Sequence, residues 1–189
     1  MKAEKAQQYP TKPVRVVAFN THLAKDDVEN IARYLESLDA DVVVLEEVLP
    51  ATAERLVPAL PSLPEHYLEA NHGIGGVVIF SRWPLLAPQP ASRDGQPLGA
   101  RVDVDLGDRR LRLFGVHLHW PLVPAAARVR NAQLAALGLE LAECHGACVV
   151  VGDFNVTPWS SHFRDLLKMS GARDCARGRG WLPTWRSGL

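Results

Sequence analysis

The sequence predicts a layered α/β protein. Apolar runs rich in β-branched residues, typical of buried strands, alternate along the chain with segments whose apolar residues recur at helical spacing. The chain has 189 residues, of which 47% are hydrophobic, and this is enough for one domain with a substantial core. We therefore predict a single domain over residues 14–189, preceded by a flexible polar lead at residues 1–13.

The first half of the chain predicts three strands with two helices between them. The β-branched run at 14–20 predicts the first strand, and the apolar residues of 25–38 recur at helical spacing. The run DVVVLEEV at 41–48 is apolar until two acids close it, as in a strand buried on both faces. A short helix over 52–60 and a third strand over 73–82 follow.

The second half predicts a hairpin followed by a helix, a strand and a last helix. Strands at 100–106 and 110–120 flank a Gly-Asp pair, which predicts a hairpin turn. A longer helix is predicted over 125–143, a buried strand over 147–155 and a helix over 160–169. This order of elements extends the alternation of strands and helices to the end of the chain.

Composition narrows the classes of protein that remain. Lys plus Arg and Asp plus Glu number 21 each, so no bulk charge favours nucleic acid. The three cysteines include no CxxC pair and predict no disulfide framework. The sequence has no signal-peptide core and no apolar run near the roughly 18 residues of a membrane span, which predicts a soluble protein unless an upstream anchor tethers it. The Pro-rich segment 83–97 predicts a surface loop.

Polar residues able to bind a metal ion or a phosphate group follow four of the predicted strands. These residues are Asn20, Glu46, Glu47, His117, His119, Asp153 and Asn155. Ligands of layered α/β proteins bind where several strands end together, so convergence of these residues would build a site rich in oxygen donors. Each residue alone also has an ordinary explanation, as a turn former, a helix cap or a solvated strand end.

Five motifs in this order resemble the endonuclease/exonuclease/phosphatase superfamily, the deoxyribonuclease I-like group, over Val14 to Trp185. The motifs are VVAFNTHL, DADVVVLEEV, VVIFSRWPL, FGVHLHWP and VVVGDFNVTPWS. The resemblance implies a four-layer α/β/β/α sandwich, with two mixed β-sheets face to face and helices outside. It also implies a hydrolase that cleaves a phosphodiester or phosphomonoester with the help of a divalent metal ion.

The resemblance assigns roles to five of the strand-end residues. Glu47 matches the metal-binding glutamate, and Asn20 matches the asparagine that helps to orient a metal ligand or a phosphate. Asp153 matches the acid that aligns the attacking water, Asn155 the amide that holds the transition-state oxygens, and His117 the histidine that contacts phosphate. Carboxylate and amide oxygens are hard ligands, which favour Mg²⁺ or Mn²⁺. Position 46, glutamine in the usual motif, is here a glutamate.

Three further residues are candidates for substrate contact. Arg82 and Arg101 are candidates for a phosphate group, and His119 lies two residues beyond His117. The resemblance leaves the substrate open among nucleic acids, phospholipids and other phosphorylated small molecules. A zinc hydrolase of another fold, using His117, His119 and Asp153, is a separate alternative, because the two histidines fall on one face of a strand.

The sequence departs from the family pattern after the segment PTW at 183–185. The pattern continues there with an aspartate and a final Ser-Asp-His, which are absent from this sequence up to Leu189. We therefore expect the C-terminal strands of one sheet, and the acid/base pair they carry, to be missing. This expectation adds a second hypothesis, in which the chain is a binding or interaction module with the same fold and impaired catalysis. The compartment and the oligomeric state are left open.

Overall fold

The computed structural model describes residues 13–23, 27–69 and 76–180, which form two four-stranded sheets and four helices. The strands of the first sheet are β1 (Val16–Asn20), β2 (Val42–Val48), β3 (Glu65–Glu69) and β4 (Gly76–Ser81). The strands of the second sheet are β5 (Leu85–Arg93), β6 (Gln96–Asp105), β7 (Arg110–His117) and β8 (Ala147–Asp153). The helices are α1 (Val28–Ser37), α2 (Pro50–Ala59), α3 (Pro124–Ala142) and α4 (Ser161–Ser170).

The predicted four-layer sandwich of two mixed sheets is confirmed. The strand order is β1-β2-β4-β3 in the first sheet and β5-β6-β7-β8 in the second. Each sheet contains one parallel pair, β1 with β2 and β7 with β8, while its other pairs are antiparallel. One apolar core lies between the sheets, a second between the first sheet and α1 and α2, and a third between the second sheet and α3 and α4.

The alternation of side chains along β2 explains why this strand is apolar throughout. Val42 and Val44 belong to the core between the sheets, whereas Val43 and Leu45 belong to the core under α1 and α2. Successive side chains of a strand point to opposite faces, so a strand covered on both faces needs apolar residues at every position. The first polar positions, Glu46 and Glu47, come only near the carboxyl end of the strand.

The two parallel pairs bring four strand ends to one edge of the sandwich. Asn20 at the end of β1 pairs in register with Glu46 of β2, and His117 at the end of β7 pairs with Asp153 of β8. Strands β1 and β8 also contact each other across the two sheets. The carboxyl ends of these four strands therefore form one edge, which we call the catalytic edge.

The predicted surface loop at 83–97 is wrong, because most of this segment is strand β5. Strand β5 lies at the edge of its sheet and pairs with β6 alone among the described strands. Proline has no N–H to donate to a neighbouring strand, and an edge strand tolerates it. Pro88 falls inside a register shift between Leu86 and Gln89, where the regular ladder is interrupted.

Strand β3, at one edge of the first sheet, was not predicted either. All of the predicted strands and the four predicted helices are present. Part of the predicted strand 73–82, residues 73–75, lies outside the described residues, as do the lead at 1–12 and the PTW segment. Among the described residues, no helix combines the length and the apolar composition needed to cross a membrane.

Candidate active site

Four of the predicted site residues meet at the catalytic edge, two from each sheet. The Nδ2 atom of Asn20 donates to Oε1 of Glu47 at 2.9 Å and lies 3.4 Å from Oδ2 of Asp153. The Nε2 atom of His117 lies 3.6 Å from the same Glu47 oxygen. The predicted convergence of strand ends is therefore confirmed, and Glu47 is at the centre of the cluster.

An irregularity in β2 directs Glu47 toward this cluster. The register of β2 against β4 shifts between Leu45 and Val48, and Glu47 has a φ of +56°. Leu45 and Val48 both pack in the core under α1 and α2. In a regular strand Glu47 would share the face of Leu45, so the bulge is what turns its carboxylate to the edge. A positive φ in a residue other than glycine is strained, and such strain concentrates at functional sites.

The residues that follow β1 hold this bulge in place. The buried hydroxyl of Thr21 donates to the main-chain carbonyl of Glu47 at 2.8 Å, and the Thr21 N–H donates to the carbonyl of Glu46 at 2.9 Å. The side-chain oxygen of Asn20 accepts the His22 N–H at 2.8 Å. Because its oxygen accepts the His22 N–H, Asn20 turns its nitrogen to the carboxylates, and its donated hydrogen bond orients the Glu47 carboxylate.

The segment after β8 forms a tight turn around Asp153. The Asn155 N–H donates to Oδ1 of Asp153 at 2.8 Å, and the Leu118 N–H donates to the Asp153 carbonyl at 2.9 Å. The Nδ2 atom of Asn155 donates to the carbonyl of Leu118 at 2.8 Å, and Asn155 has a φ of +49°. Both sides of the turn are thus bonded to the end of β7, which fixes the Asp153 carboxylate relative to His117.

Glu46 is a buried carboxyl behind the cluster. Its side chain is 1% exposed, and its Oε1 atom has no hydrogen-bond partner among the described residues. Burial, followed by the negative charge of Asp153, raises the pKa of Glu46 well above its ordinary value. Both causes favour the neutral acid, so Glu46 adds less negative charge to the site than its residue type suggests.

Replacing Glu46 by glutamine is expected to stabilise the protein increasingly as the pH rises. The unfolded chain releases the Glu46 proton near its ordinary pKa, whereas the folded protein keeps it. The contribution of protonated Glu46 to the free energy of unfolding is therefore fully present below the pKa of Glu46 in the unfolded chain. It is lost as the pH rises toward the pKa in the folded protein, by up to about 1.4 kcal/mol per pH unit. Glutamine fills the same space and does not titrate.

Urea unfolding of wild type and Glu46→Gln in EDTA, from about pH 4 to pH 8, measures this difference. The free energies of unfolding should nearly coincide at the acid end and separate by about 1–3 kcal/mol at the alkaline end. Glu54→Gln, which changes an exposed glutamate of α2, is the matched control and should follow wild type at every pH. Parallel curves for wild type and Glu46→Gln would contradict a raised pKa in the folded state.

Two predicted substrate contacts, Arg82 and Arg101, do not lie in this cluster. Arg82 pairs with Asp39 at 2.8 Å and Asp41 at 3.2 Å, just before the start of β2. Glu47 follows Asp41 by six residue steps along extended chain, which corresponds to about 20 Å. Arg101 lies 3.7 Å from Glu140 of α3 on the outer face of the second sheet. Both arginines form ion pairs within the fold.

His119 stays near the edge, and α3 supports the loop that carries it. The His119 N–H donates to Oε1 of Gln133 at 2.8 Å, and Nε2 of Gln133 donates to the carbonyl of Pro97 at 2.7 Å. Gln133 is 4% exposed, and these two bonds satisfy both ends of its buried amide. The guanidinium of Arg130, one helical turn earlier, donates to the Asn155 carbonyl.

Sequence reasoning did not find His22, Arg130 or Gln133. The Nδ1 atom of His22 lies 3.7 Å from Oε2 of Glu47, and its place two residues after Asn20 was an available signal. Arg130 and Gln133 carried no such signal, since they lie within a helix whose packing the sequence leaves open. All three residues contact the site from loops or helices beyond the strand ends.

The donor set at the edge suits a hard divalent cation held by few protein ligands. In the described parts of the chain, no group of three or more His, Cys, Asp or Glu side chains is close enough to enclose a metal ion. Mg²⁺ commonly binds through one or two carboxylates and completes its coordination with water and substrate oxygens. Glu47, with Asp153 beyond Asn20, fits that pattern, whereas a closed zinc site would need more ligands.

The fold and the cluster together define a four-layer α/β sandwich with a carboxylate- and amide-lined site at one edge. The chain belongs to the Endonuclease/Exonuclease/phosphatase family, whose model matches residues 17–189. Membership of this family indicates a hydrolase of the phosphoesterase type. A comparison with curated protein sequences gives no match.

Several solved structures share this fold at low sequence identity. Sphingomyelinase C from Streptomyces griseocarneus has 21% identity and a TM-score of 0.66, over 85% of this chain and 70% of that one. Beta toxin from Staphylococcus aureus with bound magnesium ions has 15% identity and a TM-score of 0.68, over 86% and 72%. D. rerio TDP2 complexed with single-strand DNA product has 19% identity and a TM-score of 0.63, over 81% and 64%.

Proposed function

We propose that the protein hydrolyses a phosphate ester, with a phosphodiester as the favoured substrate, in a reaction that depends on Mg²⁺ or Mn²⁺. The observation that carries the proposal is the meeting of Asn20, Glu47, His117 and Asp153 from two different sheets. A polar cluster that served stability alone would not need strained backbone at Glu47 and Asn155. Family membership and the solved structures, one of which holds magnesium, support the same activity.

The residues of the chain suggest a division of roles. Asp153, held by the Asn155 N–H on one oxygen, would orient the attacking water and accept its proton on the other. His117 would contact a phosphate oxygen. The Asn155 amide nitrogen carries two hydrogens and gives one to Leu118, so the second would bind an oxygen of the pentavalent transition state.

Glu47 would hold the divalent cation, with Asn20 fixing the direction of its carboxylate. A bound cation supplies neutralisation of the charge that develops on the phosphate oxygens. Asn20 also lies between Glu47 and Asp153, and its donated hydrogens reduce the repulsion between the two carboxylates. Water exclusion and positioning would come from the loops that follow β7 and β8.

The decisive experiment measures hydrolysis of bis-p-nitrophenyl phosphate with Mn²⁺ or Mg²⁺ and with EDTA. Hydrolysis that EDTA abolishes would support the proposal. Binding of Mn²⁺ to a protein that hydrolyses neither this diester nor p-nitrophenyl phosphate would instead favour a binding module of the same fold. Zinc-dependent hydrolysis that survives loss of Glu47 but not of His119 would favour the zinc alternative.

Replacing Glu47 by alanine is expected to remove the stabilisation that the cation confers. At ten times its dissociation constant a single bound ion should raise the melting temperature of wild type by about 3–6 °C. Glu47→Ala should show almost none of this shift, and Glu54→Ala, on the exposed face of α2, should show all of it. A full shift in Glu47→Ala would place the ion elsewhere.

A further inference from the structure

Exposed apolar side chains lie on the two loops that leave the catalytic edge of the second sheet. One loop, between β7 and α3, carries Trp120, Leu122 and Val123, which are 47%, 66% and 56% exposed. The other loop, between β8 and α4, carries Trp159, which is 70% exposed. We call these four side chains the apolar rim.

The apolar rim borders the candidate active site. Its two loops start side by side, because the Asn155 amide donates to the Leu118 carbonyl at 2.8 Å. Trp120 follows His117 by three residues, and Trp159 follows Asn155 by four. An extended chain advances at most about 3.5 Å per residue, so their Cα atoms lie within about 11 and 14 Å of those site residues.

The two segments that carry the rim contain arginines and no acid, although Asp153 and Asp165 flank the second of them. Residues 117–139 and 154–164 contain no Asp or Glu, and they include Arg128, Arg130 and Arg164. Arg128 and Arg164 are exposed. The chain as a whole has equal numbers of acidic and basic residues, so the excess of basic residues in these two segments is a local feature. A surface of this kind is complementary to a partner that carries phosphate groups.

The composition of the rim distinguishes between two phosphate-bearing partners. Single-stranded nucleic acid is held by aromatic side chains that stack on bases, and exposed aliphatic side chains add little to such a contact. Leu122 and Val123 are adjacent, aliphatic and more than half exposed. Consecutive exposed aliphatic residues are unfavourable in water unless they meet an apolar partner. Tryptophan beside aliphatic residues is typical of the boundary between lipid headgroups and acyl chains.

We propose that the apolar rim docks on the surface of a phospholipid bilayer, so that the site receives the phosphate ester of a lipid headgroup. This inference rests on the proposed phosphoesterase function and names its substrate class. Leu122 and Val123 enter the acyl boundary, the tryptophans lie at headgroup depth, and Arg128 and Arg164 face the lipid phosphates. Docking in this orientation places the catalytic edge against the headgroups.

Co-sedimentation with vesicles tests the docking surface independently of catalysis. The probes are phosphatidylcholine vesicles, with and without phosphatidylglycerol, mixed with the full chain. The double variant Leu122→Ser/Val123→Ser should bind at least tenfold more weakly than wild type, and Trp159→Ala, on the other loop, should also bind more weakly. Leu139→Ser is the matched control: Leu139 is 40% exposed on α3, about 24 Å along the helix from Val123, and its variant should bind like wild type.

Rates on two substrates separate failure of the inference from failure of the proposed function. The ratio of headgroup release from vesicles to hydrolysis of bis-p-nitrophenyl phosphate should be at least tenfold lower for the double variant than for wild type. A wild-type protein that hydrolyses the soluble diester but binds no vesicles would overturn the inference and leave the proposed function standing. Vesicle binding that depends on Leu122 and Val123, without hydrolysis of either substrate, would support the docking surface and overturn the proposed function.

A single-stranded oligonucleotide is the competing probe. If Trp120→Ala and Trp159→Ala weaken its binding tenfold, while wild type does not bind vesicles, the rim is a stacking surface and the lipid inference is wrong. Circular dichroism of each variant confirms that the fold is retained. All of these side chains are exposed, so their replacement should leave the fold intact.

Discussion

Asp153→Asn is expected to lower the rate of diester hydrolysis by about 10²–10⁴-fold, because a positioned general base contributes that much. Asparagine has the same shape and can still accept the Asn155 N–H, so the turn after β8 should persist. Loss of its charge also removes one of the causes that raise the pKa of the buried Glu46, and it removes one of the negative charges at the site. The melting temperature should therefore stay level or rise while activity falls.

The measurement compares kcat, KM and melting temperature on bis-p-nitrophenyl phosphate. Asp108→Asn is the control, because Asp108 is an exposed residue in the turn before β7, at the end of the sheet opposite His117. The loss should appear in kcat. A rate within threefold of wild type would show that Asp153 is not the base, and the roles given to His117 and Asn155 would need to be reassigned.

Gly152→Ala is expected to have the largest effect on stability, a loss of about 3 kcal/mol or more, or failure to fold. Gly152 has a φ of +133°, and a Cβ atom there would lie 2.1 Å from the Val116 carbonyl oxygen and 2.9 Å from Oε1 of Glu46. The first of these atoms is main chain of a paired strand, which cannot move without breaking the ladder. Glycine is therefore required one residue before Asp153.

A second glycine, next to the start of the same strand, helps to isolate the cause. Gly146, just before β8, has a φ of +89°, and a Cβ atom there would have no neighbour within 4 Å. Gly146→Ala should cost only the strain of a positive φ, about 1 kcal/mol. Denaturant unfolding gives both values, and the difference between them measures the clash together with the greater strain of a φ of +133°. Equal losses would show that the backbone conformation, and not the contact with Val116 and Glu46, makes Gly152 necessary.

Sequence reasoning succeeded where a residue's position along a strand decides its place in the fold. Asn20, Glu47, His117 and Asp153 each end a strand that an apolar run defines, so their meeting at one edge followed from the parallel pairing of buried strands. It failed for Arg82, which follows the antiparallel strand β4 and therefore lies at the opposite edge. The direction of each strand relative to its neighbours cannot be seen in a single sequence.

Local patterns also failed where tertiary context overrides them. Pro88 and Pro90 predict a loop, and only the edge position of β5 makes them compatible with a strand. The buried state of Glu46 depends on Gly152 of the other sheet, where a Cβ atom would lie 2.9 Å from Oε1 of Glu46. Gln133 supports the His119 loop through bonds to segments 14 and 36 residues away. Such contacts arise from packing between distant parts of the chain.

Because each sheet supplies half of the candidate site, the apolar layer between the sheets works as a spacer that sets the distance between the two halves. Gly115 shows how closely that spacer is set, since a Cβ atom there would lie 2.9 Å from Cγ1 of Val44. Sliding or swelling of this layer by a fraction of an ångström would separate Glu47 from His117 without breaking any strand ladder. The reaction rate would then report on the alignment of the two sheets, and activity would decline before the secondary structure melts.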